Sequence, residues 1–481
     1  MLAACHRSSR VCNGTAHSID TTRKSHMKKL RTSSYLNQVD IGNGTTLLYN
    51  GSSLCIDLVP TEYARQLADG NDLSFLMPEE QQHLVNRGHL TPLSAKRELE
   101  EFRKLVRLIL DKRAKLDAKH QFANLCFILT YNCNLACGYC YQKSLAEKTA
   151  VASMSGEFVD RFFSDYFPQL FPKKPKQLLI TLFGGEPLLP GNREAITRIL
   201  AFAKKRPSVR ISVATNATTL PEMADLIGPE KGRIQSVQVT LDGDRSLHDK
   251  NRVAVSGKPT FDATIAAVRE LADLQVHVSL RVHIHQGKLE SARELIDYLE
   301  QEKLLGHPRV SVYFSPINTF DSDMNSPAES ELFSRMFQDV AAKTNRPPSN
   351  LDYMNRFLDM QEKKILPKVR YCGAGGDNFC IVDPAGDLYG CYEEAGHRDR
   401  RIGSLANGQV KFRALKDSYS RRNLLNLPEC IRCSAALFCG GGCPSEARLQ
   451  KGSMFTSHCH QNKAFIDETL KAFFLRKEVK P

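Results

Sequence analysis

The 481-residue chain has no apolar run long enough to cross a bilayer; the longest, around residues 123–130, is only strand-sized. That excludes a helical membrane protein. It also lacks the short apolar centre of a secretory signal, since Arg7, Arg10, Arg23 and Lys24 stand among polar residues at its start. Without export, its fifteen cysteines belong to a reducing, cytoplasmic setting rather than to a disulfide scaffold. Acidic excess is missing too. The formal charge of +13 would by itself suit nucleic acid or an acidic surface. A hydrophobic content of 42% over this length predicts a globular protein of two or three domains.

What the chain does have is cysteine in sets. Cys133, Cys137 and Cys140 form C-x3-C-x2-C, and Cys372, Cys391, Cys430, Cys433, Cys439, Cys443 and Cys459 follow as C-x13-G-x4-C, C-x2-C-x5-C-x3-C and a final cysteine. Such spacing holds metal. Three thiolates are one short of closing a [4Fe–4S] site, which leaves one iron open to a small molecule. Zinc is the alternative, because C-x2-C pairs are also structural zinc ligands, and it fits the later set better. The first set lacks the second pair of a zinc ribbon, which favours iron–sulfur there. Cys55 and Cys126 sit in apolar strand patterns and read as small buried hydrophobes.

Residues 1–29 are polar and aperiodic, which predicts disorder, with Met27 a candidate translation start. From 30 to 119 a small α+β domain is expected. It has a hairpin of 45–49 and 54–59 about Asn50-Gly51, then helices opened by Pro60 and Pro78 and a charged helix over 93–119. Between 120 and 320, apolar β-branched runs at 124–130, 177–183, 209–215, 235–241, 276–284 and 309–315 alternate with helical stretches at 155–168, 191–205, 221–227, 260–274 and 288–304. That alternation predicts a parallel sheet wrapped by helices, with functional groups at the C-terminal strand ends. Bridging helices at 329–343 and 350–363 lie within 321–370, a cysteine-rich region poor in long apolar periods spans 371–465, and a tail covers 466–481. Metal is expected to organise the cysteine-rich part.

The run Thr130-Tyr131-Asn132-Cys133-Asn134-Leu135-Ala136-Cys137-Gly138-Tyr139-Cys140-Tyr141 resembles the cluster loop of radical S-adenosylmethionine (SAM) enzymes, and the seven later cysteines resemble the SPASM extension of that superfamily. The resemblance implies an α/β fold built on a partial (β/α)6 TIM-like barrel, one SAM-binding [4Fe–4S] cluster and two auxiliary clusters. Cys430, Cys433, Cys439 and Cys459 would hold one auxiliary cluster, and Cys372, Cys391 and Cys443 the other, with Cys380 the candidate fourth ligand. About twelve irons per chain are then expected. Bound clusters would remove about five units of the positive charge.

Three further elements match the same superfamily. Gly184-Gly185-Glu186-Pro187 resembles its GGEP element, which binds the amino group of SAM; an ordinary strand-to-helix turn is the plainer reading. Asn216 lies in Thr215-Asn216-Ala217-Thr218, similar to a TNG element but with alanine for glycine. Thr240 and Arg252 fall in a pattern like S-L-D-G…H-D…R, with threonine for serine, while Asp242 reads equally as a turn cap. Arg281, inside the fifth strand, needs an anionic partner if it faces inward.

The resemblance implies reductive cleavage of SAM and hydrogen abstraction from an unreactive carbon, with an electron donor such as flavodoxin or ferredoxin. A ribosomally made precursor peptide is the expected substrate, ending in a thioether or carbon–carbon crosslink, and the N-terminal domain resembles leader-recognition modules. Sulfatase maturation to formylglycine is the alternative, although Tyr392 stands where those enzymes carry an acid, with Glu393 and Glu394 next along. A zinc-structured nucleic-acid binder is the alternative of another class. Neither membrane nor nucleic acid is an expected partner.

Overall fold

The computed structural model describes residues 29–69, 73–142, 145, 153–285, 287–317, 340, 360, 365–459, 463, 466, 467, 470, 471 and 474. The expected disordered start and the bridging helices at 329–343 and 350–363 fall, apart from residues 29, 340 and 360, outside them. The chain divides into two compact units, one within Met1–Lys115, Asp352–Cys372 and Arg422–Pro481, the other within Leu116–Leu351 and Gly373–Arg421.

In the first unit, β1 (Arg31–Thr32) pairs antiparallel with β5 (Leu90–Thr91), and β2 (Leu36–Gly42), β3 (Thr45–Asn50) and β4 (Ile56–Pro60) form an antiparallel sheet in that order. The expected hairpin is β3–β4. β2 is an addition, because Asn37 and Gln38 blur its alternation, while Asn43 and Gly44 carry the positive φ that its tight turn to β3 requires. Both faces of the sheet are covered. Leu48 and Val59 join Ala64, Leu67 and Leu84 of the following helices. Val39, Ile41, Leu47 and Tyr49 join Ile431, Leu437 and Phe438 from the cysteine-rich segment. Tyr35 Oη donates to the Ile431 carbonyl at 3.0 Å, and Asn37 bonds both the side chain and the carbonyl of Ser434. At Gly51 a Cβ would stand 1.7 Å from the Ser434 oxygen, so only glycine fits.

The second unit is built on one large, mostly parallel sheet. Its parallel strands are β6 (Phe122–Thr130), β7 (Gln177–Gly184), β8 (Val209–Thr215), β9 (Ser236–Leu241), β10 (His277–Ile284) and β11 (Val310–Pro316), adjacent in chain order. All six match the sequence pattern to within two residues. β12 (Phe379–Val382) adds beside β6 in parallel, and β13 (Asp387–Tyr389), β14 (Gly403–Ala406) and β15 (Gln409–Phe412) continue antiparallel. These four strands were not expected in a cysteine-rich region. They are short, yet Ile381, Val382, Leu388 and Tyr389 are fully buried, so this stretch packs on apolar side chains rather than on metal alone.

Expected helix 155–168 breaks into Gly156–Arg161, a wide turn over Phe162–Tyr166 and Phe167–Leu170. Pro168 accounts for this, since it cannot donate to the carbonyl four residues back and its ring crowds that turn. The helices cover one sheet face, where Phe127 meets Phe162 and Phe163, and Val237, Val239, Leu280 and Val282 are fully buried. On the opposite face Gln238, Thr240, Ser279, Arg281, Ser311, Tyr313 and Ser315 are half-buried. Period-two alternation thus yields an apolar side and an accessible polar side.

Asp383, at the turn from β12 to β13, accepts hydrogen bonds from the amides of Ala385 and Asp387 and from Tyr131 Oη at 3.1 Å. Burial nevertheless pushes its carboxyl up to about 6. A carboxyl raised above its unfolded value contributes stability below about pH 4 and loses it as pH rises through 6. Asp383→Asn is therefore expected to stabilise the protein at pH 8, by on the order of 1–3 kcal/mol, and much less at pH 5. Thermal denaturation at both values checks this; equal gains at the two would exclude Asp383 as the responsible group.

Candidate functional site

The C-terminal ends of the parallel strands bring together the sequence-identified motifs of the second unit. The cysteine loop follows β6, Gly184–Pro187 closes β7, Thr215–Thr218 closes β8 and Asp242 follows β9. The loop is pinned on two sides. Ala136 N donates to the Val253 carbonyl at 2.8 Å and Val255 N to Asn134 at 2.9 Å. Asn216 Nδ2 donates to Asn134 Oδ1 at 2.8 Å and lies 3.9 Å from Cys133 Sγ, while Asn134 Nδ2 donates to Thr218 Oγ1 at 2.8 Å. Asn216, expected as a SAM contact, here holds the cysteine loop. Ala217 keeps the positive φ, 64°, that a glycine would adopt more readily.

The glycine pair serves the loop as well. A Cβ on Gly184 would lie 2.2 Å from the Thr130 oxygen and one on Gly185 2.2 Å from that of Asn132, so the chain's own backbone fills the space that side chains would need. Gly185 N and Glu186 N donate to those same two carbonyls at 2.8 and 2.9 Å. The Glu186 carboxyl, buried, accepts from Thr215 Oγ1 at 2.6 Å, Asn216 N at 2.7 Å and Leu188 N at 2.8 Å, and burial raises its pKa despite these bonds. It ties β7 to β8, and the Pro187 carbonyl accepts from Asn192 Nδ2 at 3.0 Å.

A buried polar network stands beside the loop. Asp242, 0% exposed, accepts from Tyr139 Oη at 2.9 Å and His283 Nδ1 at 3.1 Å on one oxygen, and pairs with His285 Nε2 at 3.0 Å on the other. Arg252 Nη1 donates to Tyr139 Oη at 2.7 Å and lies 3.8 Å from Asp242. Burial opposes charge on Asp242, but bonds from both histidines and the Arg252 charge more than offset it and hold its carboxyl well below the usual range. Burial in turn depresses His283 and His248 to about 4, so both are neutral near pH 7. Asp242 is no turn cap. Sequence reasoning did not single out the two histidines; His283 lies near the end of β10 and His285 just beyond it, and both reach Asp242. Arg281 shares that accessible face; its Nη2 donates to Ser315 Oγ at 2.8 Å and its Nε is buried with no partner among the described residues. Thr240 lies there too.

The donor set fits iron. Burial first, then the nearby Glu186, Cys137 and Cys140 charges, push the Cys133 thiol up to about 12, and burial likewise raises Cys137. Such thiols ionise only beside a strong cation, which a cluster supplies. Among the described residues no three His, Cys, Asp or Glu side chains converge on a single ion. In a cubane each thiolate binds its own iron. Cys391, in the second unit, follows β13. Cys380 lies inside β12, buried, its thiol donating to the Ile381 carbonyl and pushed up to about 12 by burial. Cys372, Cys430, Cys433, Cys439, Cys443 and Cys459 belong to the first unit.

Glu186→Gln would set an amide donor against one of the three donors its carboxyl accepts. It is expected to lower the thermal midpoint by several degrees without any ligand, reflecting about 1–3 kcal/mol. An unchanged midpoint in ligand-free protein, with only SAM binding weakened, would mean that Glu186 serves the ligand and not the strand ends.

The radical SAM superfamily profile matches residues 127–299. The serine-type anaerobic sulfatase-maturating enzyme of Klebsiella aerogenes is 23% identical over 327 residues, covering 65% of this chain and 77% of that protein. The mycofactocin maturase MftC of Mycobacterium ulcerans is 25% identical over 276 residues, 55% of this chain and 66% of that one. Among solved structures, native anSMEcpe with bound AdoMet (SAM) aligns with a TM-score of 0.57 at 16% identity, covering 75% of this chain and all of its own. With the cysteine loop, the glycine pair and the sheet in one arrangement, residues 127–299 are a radical SAM domain.

Proposed function

We propose that this chain is a radical SAM enzyme that oxidises a residue within a peptide or protein. One observation carries the reading: three thiols of a single loop stand at the C-terminal edge of six parallel strands, next to an accessible polar sheet face. We read those strands as a partial (β/α)6 barrel. Cys133, Cys137 and Cys140 would hold the [4Fe–4S] cluster, with Thr240 and Arg252 placed to meet SAM. When bound, cluster and SAM supply hydrogen-atom abstraction from an unactivated carbon, drawing on a donor such as flavodoxin or ferredoxin. The protein's share is positioning. Asn134 and Asn216 fix the loop, Glu186 fixes the strand ends that flank it, and Asp242 keeps Tyr139 and Arg252 beside Cys137. Cys430, Cys433, Cys439 and Cys459 read as ligands of an auxiliary cluster.

A precursor peptide is the favoured substrate. The N-terminal sheet is covered on both faces, so only the edges of β2 and β4 remain for an added strand, the capture mode of leader-recognition modules. Leu58 on β4 is exposed and offers an apolar contact there. The sulfatase reading is the second, favoured by the curated relatives and by solved anSMEcpe with bound AdoMet and Kp18Cys peptide, TM-score 0.55. Against it, Tyr392 packs on Phe183 and Phe379, and Glu394 is buried and accepts from Tyr419 Oη at 2.5 Å.

Anaerobically purified protein is expected to cleave SAM under reductant, whereas Cys137→Ala abolishes cleavage and loses about four irons per chain. Full cleavage by the variant would misplace the cluster loop. Mass spectrometry then separates the substrates. Loss of two hydrogens from a coexpressed precursor supports crosslinking. Replacement of sulfur by oxygen together with loss of two hydrogens at a sulfatase-type cysteine, the change from cysteine to formylglycine, reverses the order of the two readings.

A further inference from the structure

Arg422 is 4% exposed, and among the described residues every hydrogen-bond partner of its guanidinium is a main-chain carbonyl. Nε donates to Met454 at 2.5 Å, and Nη2 donates to Gly441 at 2.9 Å and Thr456 at 3.4 Å. None of these oxygens carries a formal charge. A cation kept from water in this way costs several kcal/mol unless an anion lies close by. Thiols lie about one of these carbonyls. Cys430 Sγ approaches the same Gly441 carbonyl at 4.0 Å, and Gly441 sits between Cys439 and Cys443. Burial lowers the pKa of Arg422, and the charges that oppose this are those of Cys430, Cys443, Cys372 and Cys439.

The site is also built tightly. Gly440, Gly441 and Gly442 all have positive φ, and a Cβ on Gly442 would lie 1.8 Å from the His458 oxygen, next to Cys459. Three bonds to main-chain oxygens in these closely packed loops hold the Arg422 guanidinium in place. Its charge stays where the thiols are.

We propose that Arg422 is the fixed counter-charge of the iron–sulfur centre built on these cysteines, setting its reduction potential; this rests on reading Cys430, Cys433, Cys439 and Cys459 as cluster ligands. Reduction adds one negative charge to the cluster. A buried cation alongside stabilises the reduced form more than the oxidised, so it raises the midpoint potential. Removing the charge lowers the midpoint, whereas removing only the forked hydrogen bonds loosens the loops.

Two variants of the full chain, reconstituted with iron and sulfide, separate charge from scaffold. Arg422→Lys keeps the charge and gives up the fork, and Arg422→Gln keeps an amide donor without charge. A redox titration followed by electron paramagnetic resonance, with iron analysis alongside, is expected to show one auxiliary signal shifted to more negative potential in R422Q. In R422K the signal stays near the wild-type midpoint despite a lower thermal midpoint. Loss of that cluster's iron in R422Q but not in R422K also supports the counter-charge. Equal shifts in both, no shift in either, or loss of iron from both would overturn it. A separate control isolates the underlying assignment: Cys430→Ala with Cys433→Ala must remove about four irons, and full iron retention would mean these cysteines hold no cluster.

Discussion

The constraint on which the site depends is a main-chain approach too close for any side chain. The carbonyls of Thr130 and Asn132 press against Gly184 and Gly185, where a Cβ would lie within 2.2 Å of each. Because the chain leaving β6 is seated there, the following residues must turn across the strand ends. The glycine amides and Glu186 N then receive the turn by hydrogen bonding. Glu186 completes the arrangement from β7 by binding the start of the 216–218 segment, whose Asn216 reaches back to the cysteine loop. Three strand ends are thus closed into one rigid cradle before any cofactor is considered.

Electrostatics completes what packing begins. Asp242 is a buried anion surrounded by Tyr139, two imidazoles and Arg252, and the same Arg252 opposes the burial-driven rise of the Cys137 thiol pKa. Carboxylate and guanidinium together leave the network close to neutral, which is how a polar cluster survives in a low-dielectric setting. A lone arginine beside the loop would favour thiolate more strongly but would lack anything to hold it in place. The network therefore trades some thiolate stabilisation for a fixed geometry, leaving iron to supply the remaining charge.

The parts legible in the sequence were those whose signal is local. Six strands followed from apolar β-branched runs, and the cysteine loop, glycine pair and Asn216 from contiguous motifs. Other features depend on contacts between residues far apart in the chain. β12 is four residues long and becomes a strand only because Asn124–Phe127 offers it a parallel edge. β2 is partly polar because Asn37 is spent on Ser434, almost 400 positions away. Arg422 and His283 carry no motif, and each matters only for what the fold buries around it. The glycine pair was legible as a motif, but the seating of the chain's own backbone against it appears only in the fold.

Composition alone also misjudges how the cysteine-rich segment folds. Glycines and cysteines suggested a stretch that metal must organise, yet Ile431, Leu437 and Phe438 are buried in one core with Leu47 and Tyr49 of the N-terminal sheet, and Tyr49 meets the Phe438 ring at 5.7 Å. Apolar burial and metal ligation act on different parts of the same segment. Side chains between the cysteines anchor it to the sheet, while Cys430, Cys433, Cys439 and Cys443 stay half-buried. A segment so anchored brings its thiols to near-final positions at the cost of few new constraints, so iron binding has less chain entropy to overcome than in an isolated cysteine-rich peptide. The same anchoring explains why Gly51, in the turn after β3, tolerates no side chain: it seats the residue that follows Cys433.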